Sequence, residues 1–200
     1  MKLLAVLFAS IMITGIASAQ HGNSPEGQMN FGIKGGLNVY NINNEDNTGY
    51  DSRVGIHFGV LGHVHVNPHF ALQPELVYSS QGARYTNDIG DTYYYHLDYV
   101  NIPVLFQYMF DNGLRLQAGP QLGILVSAKS ILDNSSIDLN DTKSVDVSLS
   151  FGASYVVPST GFGMDVRYNL GLSNINKDSG PASTNRGFQL GIFYVFGYNY

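Results

Sequence analysis

Arg186 to Tyr200 reads RGFQLGIFYVFGYNY, and the fold turns on how this stretch is read. Phe188, Leu190, Ile192, Tyr194, Phe196, Tyr198 and Tyr200 recur with a period of two, while Gln189, Gly191 and Gly197 fall among the interleaved positions. An apolar face alternating with a small or polar one is the pattern of a β-strand. Here the apolar face is aromatic and runs to the last residue, which is unusual for a soluble terminus.

The other end of the chain reads as an export signal. Lys2 supplies a positive start, Leu3 to Ile16 is mostly apolar, and Ala17-Ser18-Ala19 is an A-x-A cleavage site before Gln20. The apolar run is short of the ~20 residues that a spanning helix needs. Residues 1–19 are therefore expected to be a cleavable signal peptide, 20–29 a flexible periplasmic lead-in, and 30–200 one domain. The absence of cysteine excludes disulfides and a lipid anchor on a lipobox cysteine. Ten Lys and Arg, one of them Lys2, stand against fifteen Asp and Glu, so no basic patch suits nucleic acid. Gly 23, Tyr 14, Phe 11, Trp 0 and only 12% charged residues are odd values for a soluble globule. A membrane barrel would carry them, because only every second residue of its strands meets lipid.

Seven further alternating stretches precede the last one. They are expected near Asn30–Asn41, Arg53–Val66, Phe70–Gln81, Tyr94–Phe110, Leu114–Ser127, Val145–Val157 and Phe162–Leu172. Asn67-Pro68-His69, Asp111-Asn112-Gly113 and Pro158-Ser159-Thr160-Gly161 are tight turns, whereas the remaining connections are longer and polar. Long and short connections thus alternate along the chain. Eight strands with long loops at one end and turns at the other describe an all-β, antiparallel, up-and-down transmembrane β-barrel of the outer membrane. Its edges must close, since an open edge inside a bilayer leaves backbone groups unbonded.

The second face supports that reading. Gly32, Gly36, Gly55, Gly59, Gly119, Gly123, Gly152, Gly163, Gly171 and Gly191 all fall on the polar side. Small residues there leave room in the bore for Lys34, Glu75, Arg115, Asp146, Asp165 and Arg167, whose charges would neutralise one another. Pro74 and Pro103 interrupt two strands and predict bulges at those places.

Gln189-Leu190-Gly191-Ile192-Phe193-Tyr194-Val195-Phe196 resembles the C-terminal insertion signal of bacterial outer-membrane barrels, carried here by Gln189, Gly191, Tyr194 and Phe196. That resemblance implies a partner, the barrel-insertion machinery. Five further motifs, FGIKGGLNVYN (Phe31–Asn41), ALQPELVYSSQG (Ala71–Gly82), YVNIPVLFQYMF (Tyr99–Phe110), LQAGPQLGILVSAK (Leu116–Lys129) and DVRYNLGLSNI (Asp165–Ile175), look like the small PorT-like outer-membrane barrel family of Bacteroidetes-type bacteria. The resemblance implies an integral outer-membrane protein, usually without assigned activity. One branch of that family is linked to a secretion and gliding apparatus, and no motif here points to that branch.

Three constellations carry chemistry. His57, His63 and His65 share the polar face of the second strand, with Gln73 and Glu75 across the turn. Six residues of strand put His57 about 20 Å from His63, too far to share a metal ion. These histidines are expected to be neutral lumen groups, with no metal and no cofactor. His96 with Ser79 or Ser80 is the nearest approach to a hydrolase set, but no motif fixes a nucleophile, and no enzyme is expected. Glu75, Arg115, Asp165 and Arg167 read either as an ion-selective constriction or as a salt-bridged plug, and eight strands favour the plug. Tyr50, Tyr85, Tyr93, Tyr94 and Tyr95 form an expected outer aromatic girdle, with Phe70, Tyr108, Phe110 and Tyr198 as the inner one. The expected protein is a monomer in contact with outer-membrane lipids. It would engage extracellular or envelope partners through its long loops; the alternative is a narrow channel.

Overall fold

The computed structural model describes residues 29–44, 50–87, 89–132, 135–139, 142–158, 160–176 and 182–197. The expected signal peptide, nearly all of the lead-in and Tyr198 lie outside the described residues. Nine strands follow in order: β1 Met29–Asn44, β2 Asp51–Asn67, β3 Phe70–Thr86, β4 Thr92–Met109, β5 Leu114–Leu132, β6 Ser135–Asp138, β7 Val145–Val156, β8 Phe162–Gly171 and β9 Ser183–Val195. All pairings are antiparallel, and β1 pairs with both β2 and β9 while β5 pairs with both β4 and β7. Eight strands therefore close into a ring, and β6 pairs only with the outer end of β5.

The alternation read from sequence decides which way each side chain points. Val54 and Phe106 on the outside are each 65% exposed, whereas Arg115 and Arg167 inside are 1% and 2% exposed. A soluble protein would reverse those figures. The ten residues of β8, at ~3.3 Å each and a tilt of ~40°, rise about 25 Å, the height of the apolar band on such barrels. Along this strand Phe162, Met164, Val166 and Leu170 face outward.

The ends of the ring differ. At the short-turn end, Asn67 Oδ1 accepts from the backbone N–H of His69 and of Phe70 at 2.9 and 2.8 Å, which tightens the β2–β3 turn. Gly113 closes the β4–β5 turn at φ +87°, a conformation that other residues adopt at a cost. At the long-loop end the strands run further than alternation alone indicates. β3 and β4 stay paired to Thr86↔Thr92, so the long loop expected from Gly82 to Thr92 is mostly hairpin, and Tyr93, Tyr94 and Tyr95 stand on β4. Likewise β5 continues to Leu132 and folds back on β6 where a loop was expected. Polar residues on both faces of those extensions hide the period of two, because neither face there touches lipid.

Closure joins the first strand to the last. The β1–β9 register runs from Gly32↔Val195 to Asn44↔Ser183. Within it Gly36 faces Gly191, and a Cβ on Gly36 would collide with the Leu190 carbonyl and reach 2.9 Å from His57 Cε1. The Asn30 amide donates to the carbonyls of Phe196 and Gly197 at 3.2 and 2.9 Å, and Phe196 N–H donates to Phe31 at 2.7 Å. The strand thus ends at Val195, five residues before the end of the aromatic pattern.

The bulges expected at Pro74 and Pro103 are not there. Pairing between β3 and β4 lapses between Pro74↔Val104 and Val77↔Asn101 with the register unchanged. A proline lacks the N–H of one ladder bond but adds no residue, so the neighbouring strand need not slip. The register shifts lie elsewhere, between Ser52 and His57 and between His65 and Asn67 on β2, and at Asp98/Tyr99 on β4.

Candidate functional site

The centre of the bore is a closed network of four charges drawn from β1, β3 and β8. Arg167 donates from both terminal nitrogens to Glu75, each at 2.9 Å, a fork that fits the planar carboxylate. It also donates to Asp165 at 3.2 Å. Lys34 bridges the two acids, with Nζ at 3.3 Å from Glu75 and 3.0 Å from Asp165. Two cations balance two anions, and the side chains of all four are at most 3% exposed. Removing such charges from water is costly unless each meets its opposite, which is the case here.

Amides extend the network. Gln73 donates to Glu75 at 2.7 Å, and Gln107 donates to both Gln73 and Gln117, at 3.0 and 2.8 Å. This chain crosses from β3 through β4 to β5. On the other side Asn38 donates to Ser79 at 2.9 Å and accepts from His57 Nδ1 at 2.8 Å. Because the Asn38 amide also donates to the Ile56 carbonyl, its oxygen must face His57, and Nδ1 must carry the proton.

The residues singled out from sequence divide into groups. Lys34, Glu75, Asp165 and Arg167 meet, and His57 joins them through Asn38. Arg115 is buried on β5, toward the short turns. Asp146 lies toward the long loops, accepting from Ser173 at 2.6 Å and from Asn185 at 3.4 Å. His63 packs edge-on against His65 with ring centres 4.6 Å apart, nearer the short turns than His57. Among the described residues no cluster of three or more His, Cys, Asp or Glu has metal-binding geometry. Ser79 faces the bore while Ser80 and His96 face out, both held by Arg53 at 3.2 and 3.0 Å, so Ser79 and His96 do not meet.

Sequence reasoning missed that the bore is not polar throughout. Leu61, Val156, Phe193 and Val195 form a buried apolar cluster toward the short turns. Leu97, Tyr99 and Ile175 form another toward the long loops, packed against Ile42, Leu125 and Ala128. Between that outer cluster and the charges, Asn169 donates to the Tyr40 hydroxyl at 2.7 Å and Asn185 to that of Tyr99 at 3.3 Å. A signal was available in the last stretch. Phe193 and Val195 occupy the phase of Gln189 and Gly191, opposite to the lipid-facing aromatics.

Aromatic side chains meet at both ends of the ring, but Tyr85, Tyr93 and Tyr95 share the phase of the buried Ala83 and Leu97 rather than facing out as an outer girdle would. Phe70–Tyr108 and Tyr108–Phe110 ring centres lie 5.2 and 4.9 Å apart at the short-turn end. At the other end Tyr50 sits 5.9 Å from Tyr85 and 5.8 Å from Tyr95. Tyr194 and Phe196 of the terminal motif stack edge-on at 5.2 Å.

A ring closed by hydrogen bonds, apolar outside and charged within, defines a transmembrane β-barrel of the bacterial outer membrane. Residues 18–177 match the family model of the outer membrane protein beta-barrel domain, and the chain belongs to that family. It resides in the outer membrane. Among solved structures it is similar to Neisserial surface protein A, with a TM-score of 0.58 and 14% identity over 87% of this chain and 99% of that one. It is also similar to the attachment invasion locus protein Ail of Yersinia pestis, with a TM-score of 0.48 and 14% identity over 84% and 98% of the two chains. OprG of Pseudomonas aeruginosa gives a TM-score of 0.49 and 12% identity over 84% and 96%. No curated protein sequence matches the chain.

Proposed function

We propose that this protein is a sealed, monomeric barrel with a structural and interaction role in the cell envelope, exerted through its extracellular long-loop end. The observation that carries the reading is the filled bore. Four charges bond one another across it, and buried apolar clusters stand on either side of them. A solute would have to break several charge-assisted bonds in a site shielded from water. The chain that reaches the membrane begins after Ala19, and the terminal segment, with Gln189, Gly191, Tyr194 and Phe196, is what the insertion machinery reads. The resemblance of the five motifs supports a PorT-like protein within the family. The reading assigns it no catalytic role, and Ser80 and His96 are both engaged by Arg53 rather than by each other. Planar-bilayer recording of the mature protein tests the central claim. Conductance at the lipid baseline is expected, and discrete, voltage-stable steps would make it a narrow channel instead.

A further inference from the structure

The cations outside the bore are distributed unevenly. Among the described residues Arg53, Arg84, Lys129, Lys143 and Arg186 all belong to the long-loop end, and none lies near the short turns. Arg53 is held by Ser80, His96 and the Gln81 carbonyl, and Arg84 lies 3.4 Å from Asp51. Arg186 differs. It is exposed on β9, level with Asn41 on β1 and Leu170 on β8, and has no side-chain partner among the described residues.

Beneath it lies a groove of about 190 Å³ lined by Val39, Asn41, Ser52, Tyr168, Arg186 and Phe188. No carboxylate lines it. Further down the same β1–β9–β8 seam is a second groove of about 520 Å³, where Gly35 leaves a gap between Ile33, Phe162, Ile192 and Tyr194. Arg186 and Ile192 are six residues apart on one strand, about 20 Å at ~3.3 Å per residue. At a tilt of ~40° this path descends about 15 Å, the depth of one leaflet of a ~30 Å hydrocarbon core.

We propose that this seam is a binding site for a lipid of the outer leaflet that carries a phosphate monoester, an anionic headgroup with no attached cation. The phosphate pairs with Arg186 at the rim, and one acyl chain follows Phe188 and Leu190 down to the gap at Gly35. A guanidinium suits a phosphate because its parallel N–H groups match two oxygens. The chain finds a slot in a wall that is otherwise studded with side chains. The inference rests on the outer-membrane location and is independent of whether the bore conducts.

Native mass spectrometry of the folded, detergent-solubilised protein with dioleoyl phosphatidic acid or dioleoyl phosphatidylcholine tests it. The parent should retain the phosphatidic acid about fivefold better, the ratio expected of one surface cation near an anionic headgroup. Arg186→Gln should abolish the preference, and Arg84→Gln, at the same rim but off the groove, should keep it. Gly35→Leu should lower retention of both lipids. A Cβ there meets only the His57 carbonyl oxygen at 3.5 Å and Phe58 Cβ at 3.8 Å, so the variant folds and fills the slot. An unchanged preference in Arg186→Gln, an equal loss in Arg84→Gln, or undiminished retention in Gly35→Leu would overturn the site. Heat-modifiable gel mobility confirms that each variant is folded.

Discussion

The middle of the bore and its two flanks fill the same narrow space by opposite means. In the middle, Lys34, Glu75, Asp165 and Arg167 meet through short, directional bonds that fix β1, β3 and β8 against one another. On the flanks, Leu61, Phe193 and Val195, or Leu97 and Ile175, pack without direction. The difference shows a division of labour. The charges specify which strands face each other and cannot lose a member singly, while the apolar clusters exclude water and lose stability in proportion to volume.

The largest effect should come from breaking the balance of charge. Glu75→Ala leaves Arg167 and Lys34 sharing one carboxylate, a loss on the order of 3–5 kcal/mol. The urea midpoint for loss of the heat-modifiable band should fall steeply or the barrel should not fold. Lys34→Met with Asp165→Asn removes one charge of each sign and leaves the Arg167–Glu75 fork, so it should cost far less than the single change. If the neutral double variant is the worse of the two, the network is not held by charge balance.

Phe193→Ala tests the other side of the comparison. A loss of about 3 kcal/mol is expected for an emptied aromatic site, with conductance still at baseline because the charges continue to block the bore. Current through that variant would show that the apolar cluster is the seal. Tyr40→Phe should cost about 1 kcal/mol, since it removes the acceptor of the Asn169 bond and little volume. Smallest of all, Arg84→Gln at the exposed rim should change the unfolding free energy by no more than ~1 kcal/mol, and less in high salt.

How much was legible follows from the same physics. The period of two survives wherever one face meets lipid, so the eight barrel strands and their facing could be read residue by residue. Where the hairpins leave the bilayer both faces meet water, and the extensions to Thr86 and Leu132 could not be read. The four buried charges were visible as exceptions on the polar face, yet their pairing depends on the stagger of strands around the ring. Arg115 and Asp146 share that face but stand at other heights. Phe193 and Val195 were overlooked because an apolar residue inside a lipid-facing strand looks ordinary until its phase is checked.

The Asn30 side chain, reaching across to the Phe196 and Gly197 carbonyls, bears on how the molecule comes into being. It links positions 166 and 167 residues apart, and Arg167 reaches Glu75 over a separation of 92. A chain emerging from its amino end cannot fasten this clasp until its final strand is available. Contacts so distant in sequence form slowly. Until they form, β1 offers a bare edge and its lysine lacks Asp165, 131 residues further on. The unfinished barrel thus differs from the finished one in a single exposed strand edge, which closure against β9 removes.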